Sequence, residues 1–370
     1  MNQCESDGLT AEDKKLVDEL AAQLRGAFSD TAQRFAARVV RHGAKILRGR
    51  RVRMEGFKER LYGRWAHPLD LYELCLHIAL NCGDYFNRKF RPKAAASNDY
   101  QFEALVRLHA GAARVAGEVY ALMLAGYPSG AHARWRTLHE IAATALFIAQ
   151  EDKDTAERYI HHQFVKSYED ALEYQKHAGR LKVKPISSQE MSRIEDDYKA
   201  VLARYGHDFR RRNAWAIPAL LRRDPSLKGA NIGFEHLQAA VNIQHWTPYH
   251  RMASHAIHPS ATFIRFSLGS REGMPVILAG PSNADLAEAG QGAVLSLTKA
   301  TAALLTYTTQ SGGVEHVKHQ VALSAMVTAL SVLSDMATRE FVKVDQQLEE
   351  EIRADKGPPR ISGREPRGER

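Results

Sequence analysis

The sequence predicts an all-α fold, a multi-helix bundle with a long C-terminal helical hairpin. Two observations carry this. Apolar residues recur at helical spacing in stretch after stretch, and glycine- or proline-centred turns separate those stretches. A third supports it by exclusion: no glycine-rich loop follows a strand, so nucleotide-fold motifs are absent. Weak strand character is confined to Phe263–Ser282, where Gly269, Gly273 and Pro275 bracket Val276-Ile277-Leu278. At most a small β-hairpin is expected near 263–282.

Taken in order, Leu9 to Arg48 reads as helix, with Thr10 and Asp13 as an imperfect capping box. Leu16, Leu20, Leu24 and Phe28 repeat at i+4, and Phe35, Val39 and Ile46 continue the stripe. Gly49 and Gly56 punctuate a basic connector, and a second helical unit is expected after Pro68. Phe90-Arg91-Pro92-Lys93 and the following residues to Ser97 read as a linker. Residues 1–93 are therefore expected to form an N-terminal helical region, with its basic segment at 38–60, and 94–350 the main helical domain. The main domain opens with helices at Tyr100–Ala125 and, after the Gly126–Gly130 turn, at Arg134–Ala149. Amphipathic helices follow at Asp154–Gly179 and from Ser187 to about Tyr205, and Trp215 is expected to anchor the next loop. A short helix is expected at Gly233–His245, and another runs from Pro248, a favoured first position, to His258 before Pro259. Helices at Ala284–Thr309 and Val314–Glu350 form the hairpin around Ser311-Gly312-Gly313. Residues 351–370, rich in Arg, Glu, Gly and Pro, are expected to be a disordered tail.

Composition bounds the function. The chain has 370 residues, 44% of them hydrophobic and 25% charged, which is the range of globular proteins with a real core. Neither a membrane span nor a secretion signal is read from it, and three cysteines fit a reducing compartment, so a cytoplasmic protein without a membrane partner is expected. Cys75 and Cys82 suit core packing. The net charge of +8 is concentrated: between Arg38 and Arg60 nine Lys/Arg face Glu55 and Glu59. Arg48, Arg50, Arg51 and Arg53 are the candidate nucleic-acid contacts in that block, the alternative being a solvated helix face.

The sharpest candidate lies on Arg134–Ala149. At 100° per residue its apolar positions sweep most of the circumference, and Arg136 and Glu140 fall about 40° apart on the remainder. A buried arginine needs a partner, and Glu140 one turn on supplies it. On the helix from Pro248, His250, Ser254 and His258 form one stripe. If that stripe faces Arg136 and Glu140, then Arg136, Glu140, Ser254 and His258 form one polar centre. Such parts suit metal-independent phosphodiester cleavage: a base of near-neutral pKa to take a 2′-hydroxyl proton, and a fixed cation to hold the phosphate oxyanion. The competing reading is a structural polar network between two core helices. Tyr249, His250, His255, Arg134 and His139 are secondary candidates. No zincin spacing accompanies the histidines, and neither a metal nor a cofactor is expected. Gly-x-Ser-x-Gly does not occur.

Trp135-Arg136-Thr137-Leu138-His139-Glu140, followed by Tyr249-x4-Ser254-x3-His258-Pro259-Ser260, resembles a family of bacterial all-helical domains of unknown function. In that family an Arg-x-x-x-Glu helix precedes a helix with Tyr, Ser and His, and the likeness covers about Gln101 to Leu268. His139 stands where the family pattern usually has an aromatic residue. The resemblance implies, loosely, a HEPN-like bundle, and HEPN ribonucleases of toxin–antitoxin and antiphage systems carry Arg-x4–6-His. Arg134-x4-His139 and Arg251-x6-His258 fit that spacing. Residues five apart sit about 140° around a helix, so Arg134 and His139 share no centre without a second protomer. The expectation is a HEPN-like, metal-independent ribonuclease or toxin of bacterial defence, with His258 as base, Arg136 as clamp and Glu140 as orienting group. Its expected partners are RNA or another nucleic acid, an antitoxin or other protein, and a second copy in a homodimer. The alternative is a non-catalytic helical interaction or nucleic-acid-binding protein whose polar centre is structural.

Overall fold

The computed structural model describes residues 10–255, 257, 279–307 and 314–356. Among the described residues there are ten α-helices and no strand. They are α1 (Ala11–Ala96), α2 (Tyr100–Leu124), α3 (Pro128–Gln150), α4 (Lys153–Leu181), α5 (Ser188–Tyr205), α6 (Ile217–Arg223), α7 (Phe234–Ala240), α8 (Thr247–His255), α9 (Ala287–Leu305) and α10 (Val314–Lys356). The all-α expectation and the long C-terminal helical pair hold, and α9 packs on α10. The hairpin expected near 263–282 lies, up to residue 278, outside the described residues, as does Ser311-Gly312-Gly313. Residues 351–356 of the expected tail continue α10, and 357–370 lie outside the described residues.

Two compact units make up the chain, Met1–Arg60 and Leu61–Arg370. In the first unit the expected apolar stripe is present, but Leu16, Leu20, Leu24, Phe28, Phe35, Val39 and Ile46 are all exposed. The connector expected around Gly49 and Gly56 is instead helix, as is the linker expected at 90–96. A helical glycine costs only about 1 kcal/mol relative to alanine, which long neighbouring side chains can offset. Pro68 and Pro92 also lie inside α1. Pro68 is buried together with Leu61, Trp65, Leu69 and Tyr72, and burying such side chains at roughly 1.5–3 kcal/mol each outweighs the ~3 kcal/mol of a helical proline. The chain breaks only where Asn98 adopts a positive φ of 48° and Asp99 caps α2, accepting from the Phe102 N–H at 3.0 Å.

The second unit is organised around α3. Gly126 and Tyr127 turn the chain out of α2, and Pro128 opens α3. Helix α3 packs against α2, α7, α8 and α9, burying Ala131, Trp135, Leu138, Ala142, Ala145, Phe147 and Ile148. Its end is held by Gln101, whose Nε2 donates to the carbonyls of Ile148 at 3.0 Å and Glu151 at 3.2 Å. Asp152 then caps α4 through the Thr155 N–H at 2.8 Å. Trp215 anchors its loop as expected, edge-on to Phe147 and Tyr159. Cys75 and Cys82 are free and buried, and burial pushes the Cys75 thiol up to about 11.

Helix α9 is buried more completely than α3, because its alanines and glycines admit neighbours on nearly every side. A Cβ on Gly292 would lie 2.5 Å from Trp135 Nε1, and one on Gly290 would collide with Phe341. In α10 the stretch Val321–Ala354 is long and apolar enough to cross a membrane, by length and composition alone, contrary to the expectation that no run would reach that. Leu323, Leu330, Ala337 and Phe341 of that stretch are buried in the protein, whereas Val321 and Val332 are exposed.

Buried histidines make the unit acid-sensitive. His109, on α2, pairs through Nε2 with Thr301 Oγ1 at 3.1 Å. Burial pushes His109, His132 and His139 each down to about 4. Each folded-state pKa lies below the ordinary 6.5, so between pH 6.5 and about 4 the unfolded chain binds more protons. Stability is therefore full above pH 6.5 and falls on acidification, by on the order of 3 kcal/mol per histidine at the acid end. Urea midpoints measured from pH 7.5 to 4.5 should decline, and His109→Gln should flatten that decline. Gly292→Ala should lower stability by about 1–3 kcal/mol at any pH, because Trp135 cannot retreat from a packed interior.

Candidate functional site

Helix α3 carries its polar residues where the helical period leaves a gap between packed faces. Arg136 and Glu140, one turn apart, are joined Nε to Oε1 at 3.1 Å. They stand opposite α8, which reaches α3 through an aromatic hinge: Trp246 packs 6.0 Å from Trp135 and 5.5 Å from Tyr249. On α8 the buried positions are His250 and Ala253, three apart. The small Ala253 lets the helix approach closely, and His250 then points at the α3 pair.

His250 Nε2 lies 2.9 Å from Glu140 Oε1 and 3.1 Å from Arg136 Nε. One nitrogen cannot donate to the first and accept from the second. With the proton on Nε2, His250 donates to Glu140 Oε1 at 2.9 Å and Arg136 stays ion-paired with the same oxygen at 3.1 Å, at the cost of bringing the Arg136 Nε–H against the imidazole N–H. With Nε2 bare, its lone pair would face a carboxylate oxygen at 2.9 Å. The first arrangement is favoured, and it leaves the imidazole lone pair on Nδ1. Burial alone would raise the Glu140 pKa, but the His250 hydrogen bond and the charges of Arg136, His250 and Arg212 outweigh it and hold the carboxyl below its ordinary range. The group is not sealed: side-chain exposure is 22% for Arg136, 35% for Glu140 and 11% for His250.

Arg136 contributes only Nε to these contacts. Among the described residues its two terminal nitrogens have no hydrogen-bond partner. The guanidinium fork is the part of arginine that binds planar or tetrahedral oxyanions with two parallel bonds.

The remaining candidates fall elsewhere. His258 lies outside the described residues, and the imidazole that meets Arg136 and Glu140 is His250, a secondary candidate from the sequence. Ser254 turns its hydroxyl back along α8 and donates to the His250 carbonyl at 3.0 Å. Arg134 points to α2, pairing with Glu118 at 2.5 Å. His139 faces the interior, where its Nε2 meets the Gln238 side-chain amide at 2.9 Å, so Arg134 and His139 form no common centre within the chain. Tyr249 is exposed beside Trp246, and His255 ends α8. Arg48, Arg50, Arg51 and Arg53 are exposed on α1 and, at 100° per residue, are spread around it rather than aligned on one face. Among the described residues no group of three His, Cys, Asp or Glu could hold a metal ion.

Two residues that sequence reasoning passed over complete the surroundings. Gln238, buried on α7, fixes His139, and Phe234 packs at a tilt with its ring centroid 4.9 Å from that of His250. Neither carries a motif. Phe234 and Leu237 at helical spacing were the available signal that α7 turns a face inward.

Residues 102–275 match a family of unknown function, DUF5677. The match takes in α2 through α8 and hence Arg136, Glu140, His250, Gln238 and Phe234, and leaves out α1, α9 and α10. No curated protein and no solved structure matches the chain.

The Glu140 contacts give a stability signature. Its folded-state pKa lies below the ordinary 4.5, so its stabilising effect is present above pH 4.5 and is lost as pH falls through the folded-state value. Glu140→Gln should lower stability at pH 7 by about 1 kcal/mol, discounted for partial exposure, and by less at pH 4, below the ordinary carboxylate value. Paired thermal melts at the two pH values check this.

Proposed function

We propose that the centre formed by Arg136, Glu140 and His250 cleaves RNA without a metal. The observation that carries the reading is the use of Arg136: Glu140 pairs with it through Nε, and its terminal N–H groups face no partner among the described residues. A fixed, oriented cation beside an imidazole–carboxylate pair is what transfer of a phosphoryl group to a 2′-hydroxyl requires. In this reaction His250, with Nε2–H donated to Glu140, accepts the 2′-hydroxyl proton at Nδ1. The resulting alkoxide attacks the adjacent phosphorus, the P–O5′ bond breaks, and Arg136 holds the non-bridging oxygens as charge accumulates. The imidazolium returns its proton to the departing 5′-oxygen. Glu140 fixes the tautomer and stabilises the imidazolium, as carboxylates do for catalytic histidines. The products are a 2′,3′-cyclic phosphate and a 5′-hydroxyl. A role in defence or toxicity, with a protein partner that neutralises it, follows from this reading, because unregulated RNA cleavage harms its own cell.

The test is cleavage of single-stranded RNA by the purified full chain in excess chelator. The expected result is cyclic-phosphate ends, loss of at least 100-fold in rate for His250→Ala, and a smaller loss for Arg136→Lys, which keeps the charge without the fork. Wild-type protein without chelator-resistant cleavage overturns the proposal, as does a folded His250→Ala variant that cleaves normally. Variants that lose helicity by circular dichroism assign the centre instead to holding α3 and α8 together.

A further inference from the structure

Beside Trp135 lies a cavity of about 400 Å³, lined by residues of α3, α8, α9 and α10 and by Trp246. One wall is aromatic: Trp135, Trp246 and Tyr249 follow one another at ring-centroid spacings of 6.0 and 5.5 Å. The lining is also acidic, with Glu288 on α9 and Asp345 and Glu349 on α10. Glu349 is paired with Arg353 at 3.1 Å, but among the described residues Asp345 has no cationic partner. Burial raises the pKa of Glu288 and Asp345, and the neighbouring Asp285 raises both further, with Asp345 acting on Glu288 and Glu349 on Asp345. Carboxylates in this position are short of positive charge.

A second observation, independent of the acids, concerns His132. This side chain lines the same cavity and is 1% exposed, yet neither ring nitrogen has a hydrogen-bond partner among the described residues. Glu288 Oε2 lies 3.7 Å from Nε2, too far for a hydrogen bond. Since burial pushes the imidazole down to about 4, no ion pair forms at neutral pH. A buried unpaired nitrogen costs about 1–3 kcal/mol. A neutral imidazole and a carboxylate side by side, both able to accept, call for a donor that carries charge.

We propose that this cavity binds an aliphatic di- or polyamine, with one ammonium donating to Glu288 and His132, a second facing Asp345, and the methylene chain lying on Trp135, Trp246 and Tyr249. Aromatic faces attract ammonium groups and pack against the methylenes between them. The requirement for N–H donors separates this ligand from a quaternary ammonium, which an aromatic wall alone would also accept. Separate carboxylates along the cavity favour more than one amino group.

The test is titration of the full-length protein with spermidine, followed by calorimetry and tryptophan fluorescence, with tetramethylammonium and Mg²⁺ as comparison probes. Saturable spermidine binding is expected, at least 10-fold tighter than that of tetramethylammonium. Glu288→Gln and Asp345→Asn should each weaken it at least 10-fold, and both should fold, since each removes like-charge repulsion. Trp246→Ala should weaken it and reduce the fluorescence change. His132→Phe, with its melt recorded alongside, should narrow the preference for spermidine over tetramethylammonium. The proposal is overturned by absent spermidine binding, by equal binding of tetramethylammonium, by displacement of spermidine by Mg²⁺ at matched charge, or by unchanged affinity in folded Glu288→Gln and Asp345→Asn.

Discussion

The placement of Trp135 against Gly292 is the contact on which the rest of the second unit depends. The indole is buried, its Nε1 meets Ser296 Oγ at 3.3 Å, and its approach to α9 is closer than any residue with a Cβ would allow. Having fixed α3 on α9, the same ring turns one edge to His139, at 5.6 Å, and another to Trp246, at 6.0 Å. His139 leads on to His250 at 5.9 Å, and Trp246 precedes α8 directly. The position of His250 opposite Arg136 and Glu140 thus follows from apolar packing one residue away. A polar centre supported in this way draws its precision from a close-packed interior rather than from its own ion pairs, which contribute little alone where solvent reaches them.

Much of this was legible in the sequence, because helical periodicity and the turn at Gly126–Pro128 are local signals. The i, i+4 spacing of Arg136 and Glu140 on an otherwise apolar helix was sufficient to pair them, and the structure pairs them. The meeting of His250 with the pair was harder to read, because periodicity puts His250 and Ser254 on one stripe without saying which turn of α8 meets α3, and His258 lies outside the described residues. That choice depends on Ala253 and Trp246, the residues that set the approach of the helix. The punctuation of α1 misled for a related reason. Glycine and proline carry modest local penalties, and the burial around Pro68 is a non-local term that a sequence window does not contain. The importance of α9 was likewise hidden: its small residues look unremarkable until the size of Trp135 and Phe341 on the helices they face is known.

The two sets of carboxylates near Trp135 show how environment, rather than residue type, assigns roles. Glu140 and Glu288 are both substantially desolvated, and desolvation raises the pKa of each. Around Glu140 the charges of Arg136 and Arg212 and the hydrogen bond from His250 reverse that effect, so the carboxylate is ionised, oriented and already satisfied. It has no need of a ligand and can serve another group. Around Glu288 the neighbours are Asp285 and Asp345, which add to desolvation, and the nearby imidazole is neutral. Acids gathered beside a buried histidine that has no hydrogen-bond partner among the described residues repel one another. The satisfied carboxylate therefore marks a centre whose Arg136 fork has no partner among the described residues and which suits an anion, and Glu288 and Asp345 mark a cavity that suits a cation. The matched family segment holds all of the first and only the aromatic wall and His132 of the second, the acids coming from α9 and α10 beyond it. Cation recognition at this cavity thus requires the C-terminal helices as well as the matched segment, whereas every described residue of the anion-facing centre lies within that segment.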